Sequence, residues 1–424
     1  MPASEAGSGP ASEAGSGSGA RSWWAMPEQT LPSQLPEVRT GDAAEAPGGF
    51  VTYAGSAGIK DDSLDLSIVA SVGPAVADGV FTRSLFAGPS VALCRRHLAE
   101  GAPRAVVTVS KNANVANGRR GEADAAELAA LAAAVIGGRP DEVLVGSTGV
   151  IGRPYPMERL RAHLKAVRMP DGHDFPTVAR AIMTTDTVPK LASARAGAAV
   201  VTGVAKGSGM IEPDMATLLG YVFTDAGVAP DVLAPMFRRV VETTFNSLSV
   251  DTDTSTSDSV VVLANGTAGP IDPDRLEAAL LAVCRSLTVQ LAADAEGATK
   301  VLQVNVSKAR DYRQAKRVAK AIVNSPLVKC AVHGADPNWG RVVMAIGKCW
   351  EETDIDPEAV RVGFGGLEVY PSGLDEGGLG RLAEVMRSAT VEVDVRLGTG
   401  AAAATVWGCD LTSEYVHINA DYTT

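Results

Sequence analysis

Lys206-Gly-Ser-Gly-Met-Ile-Glu-Pro-Asp-Met-Ala-Thr217-Leu-Leu219 is the stretch on which the reading of this chain turns. Two glycines, Gly207 and Gly209, open positive-φ conformations to the backbone, and Pro213 stiffens the approach to Thr217. A strongly apolar run then continues to Thr224 and reads as a strand. A strained loop ending on a hydroxyl residue at a strand start suits an internal N-to-O acyl shift. The hydroxyl attacks the preceding carbonyl, the peptide bond becomes an ester, and hydrolysis frees an N-terminal Thr. Its α-amine, with an ordinary pKa near ~8, can act as the base for its own hydroxyl. By residue types alone the same stretch also reads as an ordinary Gly-rich loop before a strand. Ala-Thr recurs at 298–299, 389–390 and 404–405.

Working outward, 200–205 reads as the strand before the loop, and 104–110 (RAVVTVS) as a buried strand. Helical spacing with acids in the first turn covers 122–136. Residues 142–146 (EVLVG) form a further expected strand, which delivers Ser147-Thr148-Gly149 at its end. A helix with Pro near its first turn is expected over 154–167. Helices are also expected over 230–245, 274–293 and 312–323, with strands near 259–264 and 301–306 between them. The C-terminal part adds strands near 359–364, 391–396 and 402–407. Mixed strands and helices over this length predict an α/β protein of one large or two intermediate domains.

Composition agrees with a folded enzyme. At roughly 150 residues per domain, 424 residues suggest two to three domains. The 46% apolar content is enough for a sizeable core, and the 44 glycines with only 5% aromatics favour close packing through small residues. A net charge of −11 disfavours nucleic acid and anionic membranes as partners. The longest uninterrupted apolar run, 128–136, is far short of the about 20 residues of a membrane span. No secretory pattern surrounds Trp23 and Trp24. Five scattered cysteines without a C-x-x-C pattern read as reduced thiols of a cytoplasmic enzyme, and five dispersed histidines predict no zinc site. Residues 1–48 stand apart: Ala-Ser-Glu-Ala-Gly-Ser occurs at 3–8 and again at 11–16, so the segment is expected to be a disordered tail, with Met26 an alternative start.

The loop Gly207–Thr217 resembles the self-cleavage signature of the ornithine acetyltransferase (ArgJ) family. Further segments match in order: Ser-Thr-Gly-Val-Ile-Gly at 147–152, Ile-Met-Thr-Thr-Asp-Thr at 182–187, Thr-Phe-Asn-Ser at 244–247 and Asp-Thr-Asp-Thr-Ser-Thr-Ser-Asp at 251–258. Ala-Glu-Gly-Ala-Thr-Lys at 295–300, Asn-Ser-Pro-Leu-Val-Lys at 324–329, His-Gly-Ala-Asp-Pro-Asn-Trp-Gly-Arg at 333–341 and the terminal Ile-Asn-Ala-Asp-Tyr-Thr-Thr complete the set. Together they span about residues 50 to 424.

The resemblance implies a DmpA/ArgJ-like four-layer α/β/β/α sandwich of the N-terminal-nucleophile type, with a smaller C-terminal α/β domain. It implies cleavage between Ala216 and Thr217, giving an α fragment (49–216) and a β fragment (217–424) that associate, typically as α2β2. Thr217 becomes the acylated nucleophile, and Thr148 and Gly149 the oxyanion hole, a hydroxyl and a backbone N–H at a strand end. Without the resemblance, Ser147-Thr148-Gly149 reads as a plain strand-to-helix turn. Thr184, Lys206, Glu296, Asn419 and Thr424 match the family's ligand-binding positions, with Thr185 an alternative to Thr184. Glu296 suits an ammonium, and Lys206 a carboxylate or acyl carbonyl. The implied reaction moves an acetyl group from N-acetylornithine to glutamate, releasing ornithine, with no cofactor.

Asp251–Asp258 has the acid density of a calcium loop but lacks the EF-hand Gly and terminal Glu, so a polar turn lining the site is expected instead. His333 reads as structural rather than as a general base. Residues 110–118 and 80–90 depart from the family's usual pattern and resemble the branch found in clavulanic-acid-type antibiotic clusters. That leaves open arginine or specialised-metabolite biosynthesis, and the use of acetyl-CoA. Two rival readings remain at this point: an N-terminal-nucleophile amidase or aminopeptidase, separated by whether water alone discharges the acyl-enzyme, and a non-catalytic homologue.

Overall fold

The computed structural model describes Pro32, residues 34–212 and residues 218–421. The expected cleavage pair Ala216 and Thr217, the expected ligand residue Thr424 and the N-terminal repeats lie outside the described residues.

Strands β1 (Val38–Thr40), β2 (Phe50–Gly55), β3 (Leu66–Ser71) and β4 (Val76–Phe81) precede helix α1 (Pro89–Glu100). Next come β5 (Ala105–Val109), α2 (Gly118–Val135), β6 (Val143–Ser147), α3 (Met157–Ala166) and α4 (Phe175–Ala181). They lead to β7 (Lys190–Ala196), β8 (Ala199–Lys206), β9 (Leu219–Thr224), α5 (Pro230–Thr243), β10 (Ser259–Ala264) and α6 (Pro273–Ala293). The remainder is β11 (Val301–Ala309), α7 (Tyr312–Val323), α8 (Pro326–His333), α9 (Trp339–Gly347), β12 (Arg361–Phe364) and β13 (Leu367–Tyr370). It ends with α10 (Glu376–Met386), β14 (Thr390–Arg396), β15 (Ala402–Cys409) and α11 (Ser413–Asp421).

Local chemistry explains many of the boundaries. Asp272 caps α6 by accepting from the Asp274 and Arg275 N–H groups, Asp311 caps α7 through Gln314, and Ser325 caps α8 through Val328. Proline opens α1, α5, α6 and α8, where a missing N–H costs nothing. The helix expected over 154–167 begins only at Met157, after Pro154-Tyr-Pro156.

A six-stranded sheet runs β1-β7-β8-β9-β10-β4, a four-stranded sheet β2-β3-β5-β6, and a five-stranded sheet β13-β12-β14-β11-β15. Within the first, β9 and β10 are parallel and the other neighbours antiparallel. Alternation along β8 and β9 sends Val204, Leu219, Tyr221 and Phe223 toward the four-stranded sheet. Val201, Ala205 and Val222 point the opposite way, into the core shared with α5 and α6. Helices α1, α2 and α3 cover the outer side of the four-stranded sheet. The result is the expected α/β/β/α sandwich. Each large apolar side chain buried between these layers contributes roughly 1.5–3 kcal/mol.

The smaller α/β part follows. Its five strands bury Val304, Val306, Val362, Val393 and Val395 against α7, α9 and α10, while Trp407 and Cys409 of β15 join the core around α6. Helix α6 has the length and apolar composition of a membrane span. Its Leu276, Leu280, Val283, Leu287 and Leu291 are nonetheless fully buried in this core.

One boundary is corrected. The tail expected to be disordered through residue 48 is ordered from β1 onward, where Val38 pairs with Ala194 at the free edge of β7. Glu45 N–H donates to Ser193 Oγ (2.8 Å) and Gly48 N–H to Asp225 Oδ2 (2.8 Å). Composition missed this because the partners that satisfy the segment's polar groups lie about 150 residues away in sequence.

Candidate active site

Strands β8 and β9 pair antiparallel with Lys206 opposite Leu219, so the Gly-rich excursion leaves and re-enters the sheet at one point. Its described part is held by carboxylates. Asp186 Oδ1 accepts from Gly207 N–H (2.7 Å), and Asp251 accepts from Met210 and Ile211 N–H (2.7 Å each). Met210 sits at φ +56°, a left-handed conformation costly for a non-glycine residue, which the two Asp251 bonds hold in place. Glu212, next to the undescribed segment, accepts from Asn324 Nδ2 (2.6 Å) and Ser249 Oγ (3.0 Å). The acidic run at 251–258 therefore supplies the loop clamp as a polar turn. Among the described residues no cluster of carboxylates, histidines and cysteines has metal-binding geometry.

The end of β6 meets this loop across the sheet interface. Thr148 N–H donates to Val109 O (3.1 Å), its side chain is nearly buried, and its Oγ1 accepts from Lys206 Nζ at 3.1 Å. Gly149 has φ +125°, and a Cβ there would run into the Lys111 backbone, so only glycine fits. Beneath it, Ser147 Oγ hydrogen-bonds Tyr155 OH, and Thr108 Oγ1 donates to Tyr221 OH (3.1 Å). Tyr221 of β9 reaches β6 so closely that any side chain at Gly146 would strike its hydroxyl. The strand that follows Thr217 is thereby docked on the strand that carries Thr148.

The expected ligand positions converge on the same place. Glu296 N–H donates to Ser208 O (2.9 Å), its carboxylate lies against Gly209, and Oε2 accepts from Asn419 Nδ2 of α11 (2.9 Å). Thr184 is half-buried, and its N–H donates to Asp186 Oδ2 (3.0 Å). Thr148, Gly149, Thr184, Lys206, Glu296 and Asn419 thus come from five separate segments. Burial pushes the Lys206 ammonium below the ordinary lysine value, opposed by the nearby Asp186, Asp258 and Glu296 carboxylates.

Sequence reading missed the buried charges under these groups. Lys190, fully buried, donates to Asp186 Oδ1 (2.7 Å) and Asp294 Oδ2 (2.5 Å). Asp186 is held down to about 2: burial raises it, and Lys206, Lys190 and the Gly207 N–H more than compensate. Removing one partner of such a buried group typically costs about 3–5 kcal/mol. Asp186 lies inside the quoted motif at 182–187, and its i,i+4 spacing to Lys190 was the available signal. His333 pairs through Nδ1 with Asp410 Oδ2 (3.0 Å), while Asp410 Oδ1 accepts from the Thr299 and Lys300 N–H groups.

A model of the ArgJ family matches residues 52–424. The arginine biosynthesis bifunctional protein ArgJ 2 of Nostoc sp. is 51% identical over 383 residues, covering 90% of this chain and 99% of that protein. The glutamate N-acetyltransferase Oat2 of Streptomyces clavuligerus is 50% identical over 387 residues, covering 90% and 98%. Among solved structures, the ornithine acetyltransferase complexed with ornithine from Mycobacterium tuberculosis is 36% identical. It covers 43% of this chain and 100% of that one, with a TM-score of 0.38. The family match and the two curated relatives define an acetyltransferase of amino-acid biosynthesis, of the ornithine acetyltransferase class. The chain belongs to the ArgJ family.

Proposed function

We propose that this acetyltransferase matures by cutting itself between Ala216 and Thr217, into an N-terminal fragment that ends at Ala216 and a fragment 217–424, and then works by a ping-pong cycle. The Thr217 hydroxyl attacks the acetyl carbonyl of N-acetylornithine while its own α-amine takes the proton. Thr148 Oγ1–H and the Gly149 N–H receive the oxyanion. The C–N bond breaks, ornithine leaves with the proton, and the α-amine of glutamate attacks the acetyl-Thr ester to give N-acetylglutamate and free Thr217. Glu296 grips the substrate ammonium, while Lys206, Thr184, Asn419 and Thr424 hold its remaining polar groups. No cofactor enters this cycle.

The observation that carries the reading is the 3.1 Å bond between Lys206 and Thr148. It joins the expected oxyanion residue to the β8 end whose register partner, Leu219, lies two residues beyond Thr217. The ornithine bound to the M. tuberculosis relative and the Oat2 name of the S. clavuligerus relative support the substrate pair. Arginine supply or specialised metabolism, a cytoplasmic location and an α2β2 assembly belong to the same proposal.

N-terminal sequencing of the purified protein should find a fragment starting at Thr217, and Thr217→Ala should stay uncut and inactive. Incubation with N-acetylornithine and glutamate should yield N-acetylglutamate. Only full-length active chain, or release of acetate with no transfer to glutamate, would overturn the reading.

A further inference from the structure

We propose that the buried Asp186–Lys190–Asp294 triad is the positioning device of the substrate site, aligning three ligand-gripping segments from beneath and supplying the counter-charge of Lys206. This rests on the reading that Lys206 and Glu296 bind substrate.

The triad ties together segments far apart in sequence. Asp186 Oδ1 holds Gly207 N–H, the residue after Lys206, and its Oδ2 holds Thr184 N–H. Asp294 Oδ2 accepts from Thr187 N–H (3.0 Å), and Asp294 O accepts from Ser208 Oγ (2.7 Å). Ser208 O in turn takes the Glu296 N–H, so Glu296 is hung from the same loop. Lys190 closes the figure by bridging both carboxylates, with its own side chain and that of Asp186 wholly shielded from water. Lys190 thus joins the two carboxylates on which these grips are hung. Two carboxylates against one lysine leave the triad one negative charge in excess, beside the half-buried Lys206. The charged groups facing Lys206 are Asp186, Lys190, Asp258 and Glu296.

None of the triad residues is assigned to touch substrate, so its signature is a binding defect with a displaced pH profile rather than a lost chemical step. Asp186→Asn and Asp294→Asn preserve side-chain shape. In each, KM for N-acetylornithine should rise roughly 10- to 100-fold, as for a misplaced binding group, with kcat changed by less than about threefold. Asp186→Asn should in addition move the alkaline limb of kcat/KM to lower pH. The sign follows because that carboxylate favours the charged form of Lys206, and losing it eases deprotonation. Asp294→Asn leaves the Gly207 bond intact, so it reports even where Asp186→Asn fails to fold or mature. Glu142→Gln breaks a half-buried pair with Arg104 at the opposite end of β6 and should leave KM and pH profile unchanged. Correctly cut Asp294→Asn with an unchanged KM would overturn the proposal. The underlying reading is tested separately by Lys206→Met. If Lys206→Met raises KM and the triad variants do not, the triad proposal falls alone. If Lys206→Met leaves KM unchanged, the assignment of Lys206 to substrate falls, and the proposed role of the triad with it.

Discussion

Thr148 carries two demands at once: its hydroxyl accepts from Lys206 Nζ, which leaves the hydroxyl proton free to turn toward an incoming oxyanion. Thr148→Ala removes the donor without adding bulk, and loss of one oxyanion donor typically lowers kcat by about 10²–10³. Steady-state turnover of the mature variant checks this, and a loss smaller than about threefold would place the donor elsewhere. Gly149 shows the complementary constraint, since its positive φ and its contact with the Lys111 backbone exclude any side chain. The two neighbours are chosen by different physics, one by its hydroxyl and the other by the lack of a Cβ.

At the scale of elements, the β8–β9 excursion is shaped by partners outside itself. Asp251 comes from the turn ahead of β10, and its carboxylate also receives the Tyr415 hydroxyl of α11 (3.3 Å). Burial, and then Asp251 itself, push that phenol above its ordinary value, so it stays protonated and donating. Met210, in its left-handed conformation, and Ile211 both donate their N–H groups to Asp251. Asp251→Ala should let the loop relax and slow self-cleavage by at least about tenfold, equivalent to ~1.4 kcal/mol. A time course of fragment appearance after synthesis checks it, and the stability of the uncut chain should fall far less than its processing rate.

For the whole molecule, the proposed cut divides a sheet rather than separating domains. Strands β1, β7, β8 and β4 would belong to one fragment and β9 and β10 to the other, with β9 bonded to β8 along Val201–Lys206 and β10 to β4 along Val76–Phe81. Pulling the fragments apart would expose Leu219, Tyr221, Phe223, Val260 and Val262, all buried. The cut protein should therefore elute as one particle on size exclusion at micromolar concentration and separate into two chains only in denaturant. Dissociation of the pieces in native buffer would contradict this.

Several features needed nothing beyond the order of residues. Apolar periodicity placed β5, β6, β8, β10 and helices α2, α5, α6 and α7 to within a few residues, because each of them buries a regular face. Thr148, Gly149 and Glu296 were singled out only by the resemblance of their motifs, because by residue type alone 147–149 reads as a strand-to-helix turn and a lone Glu as a solvated charge. Tertiary structure decided what depends on distant partners. Strand β1 exists only on the free edge of β7, and β7 itself begins with Lys190, which no hydropathy reading would bury. Burying that ammonium is tolerable only because Asp186 and Asp294 are brought to it, one from four residues before and the other from 104 residues later. The site is assembled the same way: a charged group is stable in the interior only where folding delivers its counter-charge, and that delivery is a property of the packed sheets, not of any one segment.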